Sequence, residues 1–316
     1  MKDFLKSVKL LIKRILKPDP FLLPVILVAA LFFLAVFDVY QKGEIILKST
    51  LNTPITNYKS SSYPFLKNKF NPNILAQAAI VVDKDSSVVI YAKNENLRFS
   101  PASTAKIMTA LTALDYFKLT DVLEVKRVAG EGSILGLVQG EKMTFLDLLY
   151  AMLLPSANDA AFVIAQNYPG EEPGFIEKMN QKAKLLGLNN THFQDPAGLL
   201  DQDNYTTPLE LARLASVSLE NKLFSQVVST KYRFISDING VNTYPLFNRN
   251  KLLGIDGISG IKTGFTDEAG GVLVSSKPEN GRTLIIVVMR SEDRFGDTLA
   301  LASYVSDNLT YLSIHP

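Results

Sequence analysis

The 316-residue sequence contains no cysteine and only two histidines, His192 and His315. Without cysteine there are neither disulfides nor thiolate ligands, which is compatible with an oxidising, extracytoplasmic setting without requiring it. Two histidines, one of them penultimate, leave almost no material for a serine–histidine–aspartate triad or a zinc peptidase site. His192 is expected to pack or hydrogen-bond within its own Thr191-His192-Phe193 turn. No metal and no cofactor are expected. The net charge of +2 is too close to neutral to argue for a nucleic-acid partner.

One long apolar run is present. Residues 21–37 carry no charge and are interrupted only by Pro24, close to the lower end of the roughly 17–25 residues that cross a bilayer as a helix. Ahead of it Lys2, Lys6, Lys9, Lys13, Arg14 and Lys17 alternate with Phe4, Leu5, Val8, Leu11, Ile12, Ile15 and Leu16 at helical spacing. That is the pattern of a basic amphipathic helix on anionic lipid. Cations ahead of the span predict a cytoplasmic N-terminus, with the remainder outside. The run exceeds the about 7–15 residues of a signal-peptide core, and Ala35-Val36-Phe37-Asp38-Val39 offers no small-x-small cleavage site, so an uncleaved signal anchor is expected. The sequence then divides into a cytoplasmic basic segment (1–20), a single transmembrane helix (21–38), a tether (39–72) and a catalytic domain (73–312). The last is long enough for one sizeable core or two closely packed lobes.

Three short stretches carry the chemistry. Ser100-Pro101-Ala102 supplies a helix cap and a proline suited to the first helical position, so a helix is predicted to start there. Ser103 then falls in its first turn, and Lys106, three residues on, shares its face. A lysine takes a serine proton only when its amine is neutral, which requires burial or a second cation. Lys262 is the candidate for that cation. Ser-x-x-Lys alone is common on exposed helices. The second stretch, Ser156-Ala157-Asn158, lies between apolar runs that place a polar turn between two buried helices; by itself it reads equally as a helix cap. The third, Lys262-Thr263-Gly264-Phe265, follows Gly257-Ile258-Ser259-Gly260 and looks like a strand whose small residues admit another backbone or a ligand.

Taken together and in this order, the three stretches are the signature of penicillin-binding proteins and class A β-lactamases. From about residue 74 to 309 the chain resembles the low-molecular-mass D-alanyl-D-alanine carboxypeptidases, which trim peptidoglycan stem peptides. The resemblance extends to Phe99-Ser100-Pro101-Ala102 leading in, Gly140-Glu141-Lys142-Met143-Thr144 with Asp147-Leu148-Leu149, Met179-Asn180, Leu186-Gly187-Leu188, Gly198-Leu199, Asn248-Arg249-Asn250, Asp256-Gly257 and Ala269-Gly270. Two positions depart from it. Ala157 stands where glycine is usual, and Phe265 where some members carry histidine. Many members also append a C-terminal β-domain and an amphipathic helix; here the sequence ends at Pro316, and the anchor is expected at the N-terminus.

The resemblance implies an α+β fold of the β-lactamase/transpeptidase type. It implies Ser103 as nucleophile, Lys106 as its base, Ser156 as proton relay helped by Lys262, and Asn158 as the group orienting the substrate amide and the lysines. Backbone N–H groups of Ser103 and Phe265 would form the oxyanion hole. Thr263, with Lys262 and Arg249, would receive the terminal carboxylate, and Gly264 and Phe265 would also bind substrate. The implied partners are peptidoglycan stem peptides, β-lactam antibiotics and, through the N-terminal helix, the lipid bilayer. Asp159 is expected to be structural. A D,D-endopeptidase or transpeptidase acting on cross-links, a β-lactamase, and an inactive wall-binding or penicillin-sensing protein remain alternatives, although the Glu-x-x-Leu-Asn segment of class A β-lactamases is not evident.

Period-two patterning predicts strands at 76–82 and 88–92, then at 232–235, 257–264, 271–275 and 283–289, with a mostly helical middle from 103 to about 220 and a closing helix near 296–309. Early and late strands flanking helices suggest one antiparallel sheet with an inserted helical lobe. The groove would lie where lobe meets sheet, with residues 262–264 on the edge strand.

Overall fold

The structure is a computed structural model and describes residues 6–7, 9–10, 28, 31–39, 63–68, 70–129, 131–306 and 308–312. The chain divides into two compact units, Met1–Lys59 and Ser60–Pro316. In the first, residues 31–39 are helical and exposed. Among the described residues no helix is long and apolar enough to cross a membrane. The basic segment expected over 1–20 and the apolar run over 21–37 lie largely outside those residues.

The second unit begins with β1 (Tyr63–Leu66), β2 (Ala78–Asp83) and β3 (Val89–Lys93). A 3-10 helix (Ala102–Ala105) leads into α1 (Lys106–Leu114), followed by β4 (Val122–Glu124), β5 (Lys142–Thr144), α2 (Phe145–Leu153), α3 (Asn158–Gln166), α4 (Glu171–Leu185), α5 (Pro208–Ser218) and α6 (Lys222–Val228). Then come β6 (Tyr232–Ser236), β7 (Thr243–Phe247), β8 (Gly260–Thr266), β9 (Gly270–Glu279), β10 (Arg282–Ser291), α7 (Arg294–Ser306) and β11 (Leu309–Leu312). The principal sheet has five strands in the order β3-β2-β10-β9-β8, every neighbouring pair antiparallel. Early and late strands of the second unit thus meet in one sheet, with most of the helices inserted between them. Edge strand β8 lies next to the 3-10 helix.

Alternation along the central strands explains why both faces are covered. Ile80 and Val82 of β2 and Ile285, Val287 and Met289 of β10 point into the large core shared with the helical lobe. Their neighbours Ala79, Val81, Leu284, Ile286 and Val288 join Leu301, Ala302 and Val305 of α7 in a second core on the opposite face. A strand buried on both faces needs an unbroken apolar run, and residues 284–289 provide it. Asn280 and Gly281, both at positive φ (50° and 76°), close the β9–β10 hairpin, as the twist of paired strands favours. In the lobe, Thr144 caps α2 by accepting from Asp147 N, and Thr207 caps α5 by accepting from Glu210 N with Pro208 following.

Three pairings were not expected from the sequence: β4 with β5, β6 with β7, and β1 with β11. The last draws residues 63–66, within the stretch read as a tether, into register with residues 309–312. The strand expected over 257–264 starts only at Gly260, because Asp256 and Gly257 hold left-handed φ values of 50° and 75° that no strand accommodates.

Candidate active site

Ser103 sits in the 3-10 helix rather than in the first turn of an α-helix beginning at Ser100. Ser100 Oγ is 3.4 Å from Ala102 N, a weak cap, and donates a shorter bond of 2.6 Å to Asp201 Oδ1. The tighter helix strengthens the expected pairing, since residues three apart eclipse one another in a 3-10 turn. Lys106 Nζ lies 2.9 Å from Ser103 Oγ. The same amine donates to Asn158 Oδ1 at 2.6 Å and to Ala197 O at 2.9 Å. Lys106 is fully buried. Burial, with Arg249 adding repulsion, lowers its pKa to about 7, while Asp195 and Asp159 pull the other way.

Lys262, expected to be the cation that depresses Lys106, is itself buried and pushed well below the usual lysine range. The causes are first burial, then repulsion from Lys106, Arg249 and Arg294. Burial is thus the main cause of the lowered Lys106 value and Arg249 adds to it, while Lys106 and Lys262 repel one another. Lys262 Nζ donates to Thr263 O at 2.8 Å.

The second motif forms the turn between α2 and α3. Ser156 is held at φ 67°, a strained value for a side-chain-bearing residue, and its buried hydroxyl has no hydrogen-bond partner among the described residues. Ala157 has φ −59° and ψ 119°, open to any L residue, so the missing glycine costs nothing here. Asn158 N donates to Ser133 O at 2.7 Å, and its side-chain amide donates to Glu131 O. Asp159 is structural, as expected: its carboxylate accepts from the backbone N–H groups of Leu135, Gly136 and Leu137. This fixes the loop against which Asn158 rests. His192 likewise stays in its turn, with Nδ1 2.9 Å from Asp203 O and its ring stacked on Tyr205.

Strand β8 brings the third motif against the first. A Cβ on Gly264 would lie 2.9 Å from Ser103 N and 3.0 Å from Ala102 Cβ, so only glycine lets the strand approach this closely. Phe265 is exposed at the cleft. Asp195 accepts from Ala197, Gly198, Leu199 and Leu200 N–H groups at 2.6–2.9 Å. The loop it shapes aims Ala197 O at Lys106. Gly198, at φ 77°, passes so near the Ala102 carbonyl that a Cβ would sit 1.9 Å from its oxygen.

These groups border an open cavity of about 830 Å³, with Ser103, Ser156, Asn158, Thr263 and Phe265 in its wall. Arg249 lies on the rim, exposed, and its guanidinium makes no hydrogen bond or ion pair among the described residues. Arg294, which the sequence did not single out, reaches Thr263 Oγ1 with Nε at 2.8 Å and also lines the cavity. It is the first residue of α7, where the helix dipole opposes a cation; that mismatch is the one sequence signal pointing to it. Asp195 and Asp201 were also missed, because their partners become neighbours only through the fold.

A family model described as D-alanyl-D-alanine carboxypeptidase matches residues 66–293. The chain belongs to that family. It is 34% identical over 221 residues to a D-alanyl-D-alanine carboxypeptidase of Bacillus subtilis, covering 67% of this chain and 57% of that relative. It is 35% identical over 233 residues to a D-alanyl-D-alanine endopeptidase of Escherichia coli, covering 71% and 73% respectively. The crystal structure of a Streptomyces DD-transpeptidase superposes with a TM-score of 0.70 at 32% identity, spanning 75% of this chain and 98% of that one. The fold is thus the α+β fold of the penicillin-binding and β-lactamase type that the family resemblance implied.

Proposed function

We propose that the protein is a membrane-anchored serine D,D-carboxypeptidase that removes the terminal D-alanine from peptidoglycan stem pentapeptides through an acyl-enzyme on Ser103. The observation that carries this reading is the 2.9 Å contact between Ser103 Oγ and a fully buried Lys106 amine whose pKa is lowered to about 7. A neutral amine at that distance accepts the hydroxyl proton as the oxygen attacks the carbonyl between the two D-alanines. Backbone N–H groups of Ser103 and Phe265 receive the developing oxyanion. The unpartnered Ser156 hydroxyl hands a proton to the departing amine, helped by Lys262, and Asn158 holds Lys106 in place. Thr263 and Arg294, already bonded to each other, receive the terminal carboxylate with Arg249. Water then releases the shortened peptide.

β-Lactams offer an amide and a carboxylate in a comparable arrangement, so they acylate Ser103. Residues 21–38 anchor the chain, with the N-terminus in the cytoplasm and the catalytic unit outside; the support is the uncharged run and the cations ahead of it. The endopeptidase relative favours a second reading in which the leaving amine belongs to a cross-link.

The test is mass-spectrometric detection of D-alanine released from a stem pentapeptide by the full chain in detergent, beside Ser103→Ala. Release lost in the variant supports the proposal, as does a penicillin adduct on Ser103. Cleavage of a cross-linked dimer without release from the pentapeptide replaces it with the endopeptidase reading. Release that survives in Ser103→Ala overturns both.

A further inference from the structure

The charges around the cleft are not evenly mixed. Arg294 is tied to Thr263, partway along β8, whereas Asp201 is tied to Thr266 at the end of the same strand. Asp201 Oδ1 accepts from Ser100 Oγ at 2.6 Å and from Thr266 Oγ1 at 2.8 Å. These bonds fix the carboxylate at the cleft wall and leave Oδ2 without a partner among the described residues. The exposed carboxylates of Glu131 and Asp267 line the same cavity.

The direction of a bound peptide follows from the proposed chemistry, on which this inference rests. The terminal carboxylate meets Thr263 and Arg294, and the scissile carbonyl meets Ser103 beside Gly264 and Phe265. An extended chain advances about 3.3 Å per residue alongside an edge strand. The residue on the amino side of the two D-alanines then comes level with residues 266–267 of this chain, where Asp201 waits.

We infer that Asp201 is a specificity-determining residue that receives a cationic side-chain amine on the residue immediately preceding D-alanyl-D-alanine. The peptide is then gripped at both ends by opposite charges, its carboxylate by Arg294 and its upstream ammonium by Asp201. An acceptor held in place by two hydrogen bonds loses little freedom on binding, and a charge-assisted bond to it discriminates well against a neutral analogue.

The test compares Nα-acetyl-L-Lys-D-Ala-D-Ala with Nα,Nε-diacetyl-L-Lys-D-Ala-D-Ala as substrates of the full chain at pH 8. The free-amine peptide is expected to give a kcat/KM higher by roughly ten-fold, chiefly through KM, and the advantage shrinks as salt is raised. In Asp201→Asn, which keeps an oxygen acceptor for Ser100 and Thr266, the ratio of the two values falls towards one. A ratio of two substrates on one enzyme cancels any general damage to the site. Equal values in the wild type, or an undiminished ratio in Asp201→Asn, overturn the inference and leave the carboxypeptidase reading standing. Failure to release D-alanine from either peptide, by folded wild-type protein, removes both.

Discussion

Lys106 is where local geometry and electrostatics meet. Its amine is buried among Ser103 Oγ, Asn158 Oδ1 and Ala197 O, and each oxygen is delivered by a different segment. Desolvation opposes a charge there, so the amine releases its proton near pH 7 instead of well above it. The sign for catalysis follows directly. Below that pH Lys106 is protonated and cannot accept from Ser103; above it the base form is available. Acylation by penicillin is therefore expected to rise about ten-fold per pH unit below the transition and to level off beyond it. Stopped-flow or quenched acylation kinetics between pH 5.5 and 9 measure this. Lys262, also pushed down and coupled to Lys106, makes the transition a property of the pair. A rate independent of pH across that range removes Lys106 as the base.

At the scale of elements, the site depends on carboxylates that organise backbone. Asp159, in the first turn of α3, gathers three N–H groups from residues 135–137. That loop in turn carries Ser133 O, which accepts from Asn158 N. Asp159→Ala is expected to cost about 2–4 kcal/mol in urea unfolding, because several buried donors lose their acceptor at once. Native-state hydrogen exchange should show protection lost at Leu135, Gly136 and Leu137 before anywhere else in the lobe. Protection retained at those three amides contradicts the assignment. The sequence made the central strands and the three motifs legible because period-two burial and short spacings are local properties. Residues 284–289 declare a strand buried on both faces, and Ser103 to Lys106 is a single turn. It did not reveal β1 pairing with β11 across almost the whole second unit, since neither four-residue strand carries a signal of its own. Nor did it reveal Arg294 on Thr263 or Asp201 on Thr266, whose partners lie 31 and 65 residues away.

At the scale of the whole molecule, the second unit buries two lysines where its helical lobe meets its sheet, at a cost in stability that depends on pH. Burial holds Lys106 at about 7 against an ordinary value of 10.5, and Lys262 is lowered as well. The unfolded chain thus binds more protons than the native one over the window between about 7 and 10.5. Stability must rise with pH across it, by roughly 1.4 kcal/mol per unit from Lys106 alone. Below about 7 both states are protonated at Lys106, and the full cost of burying the charge remains. The half-buried Tyr91 and the buried Tyr304 have raised pKa values, so their opposing effect begins only above the ordinary tyrosine value of 10. The informative comparison is therefore urea unfolding at pH 7.5 and 9. Wild-type protein is expected to gain stability between them, and Lys106→Met to gain less by roughly 2 kcal/mol. This difference does not depend on the hydrogen bonds the substitution removes, because those losses are the same at both pH values. Parallel curves for the two proteins would mean that Lys106 is charged in the folded state, and the pairing with Ser103 would then be a hydrogen bond donated by an ammonium instead of a poised base.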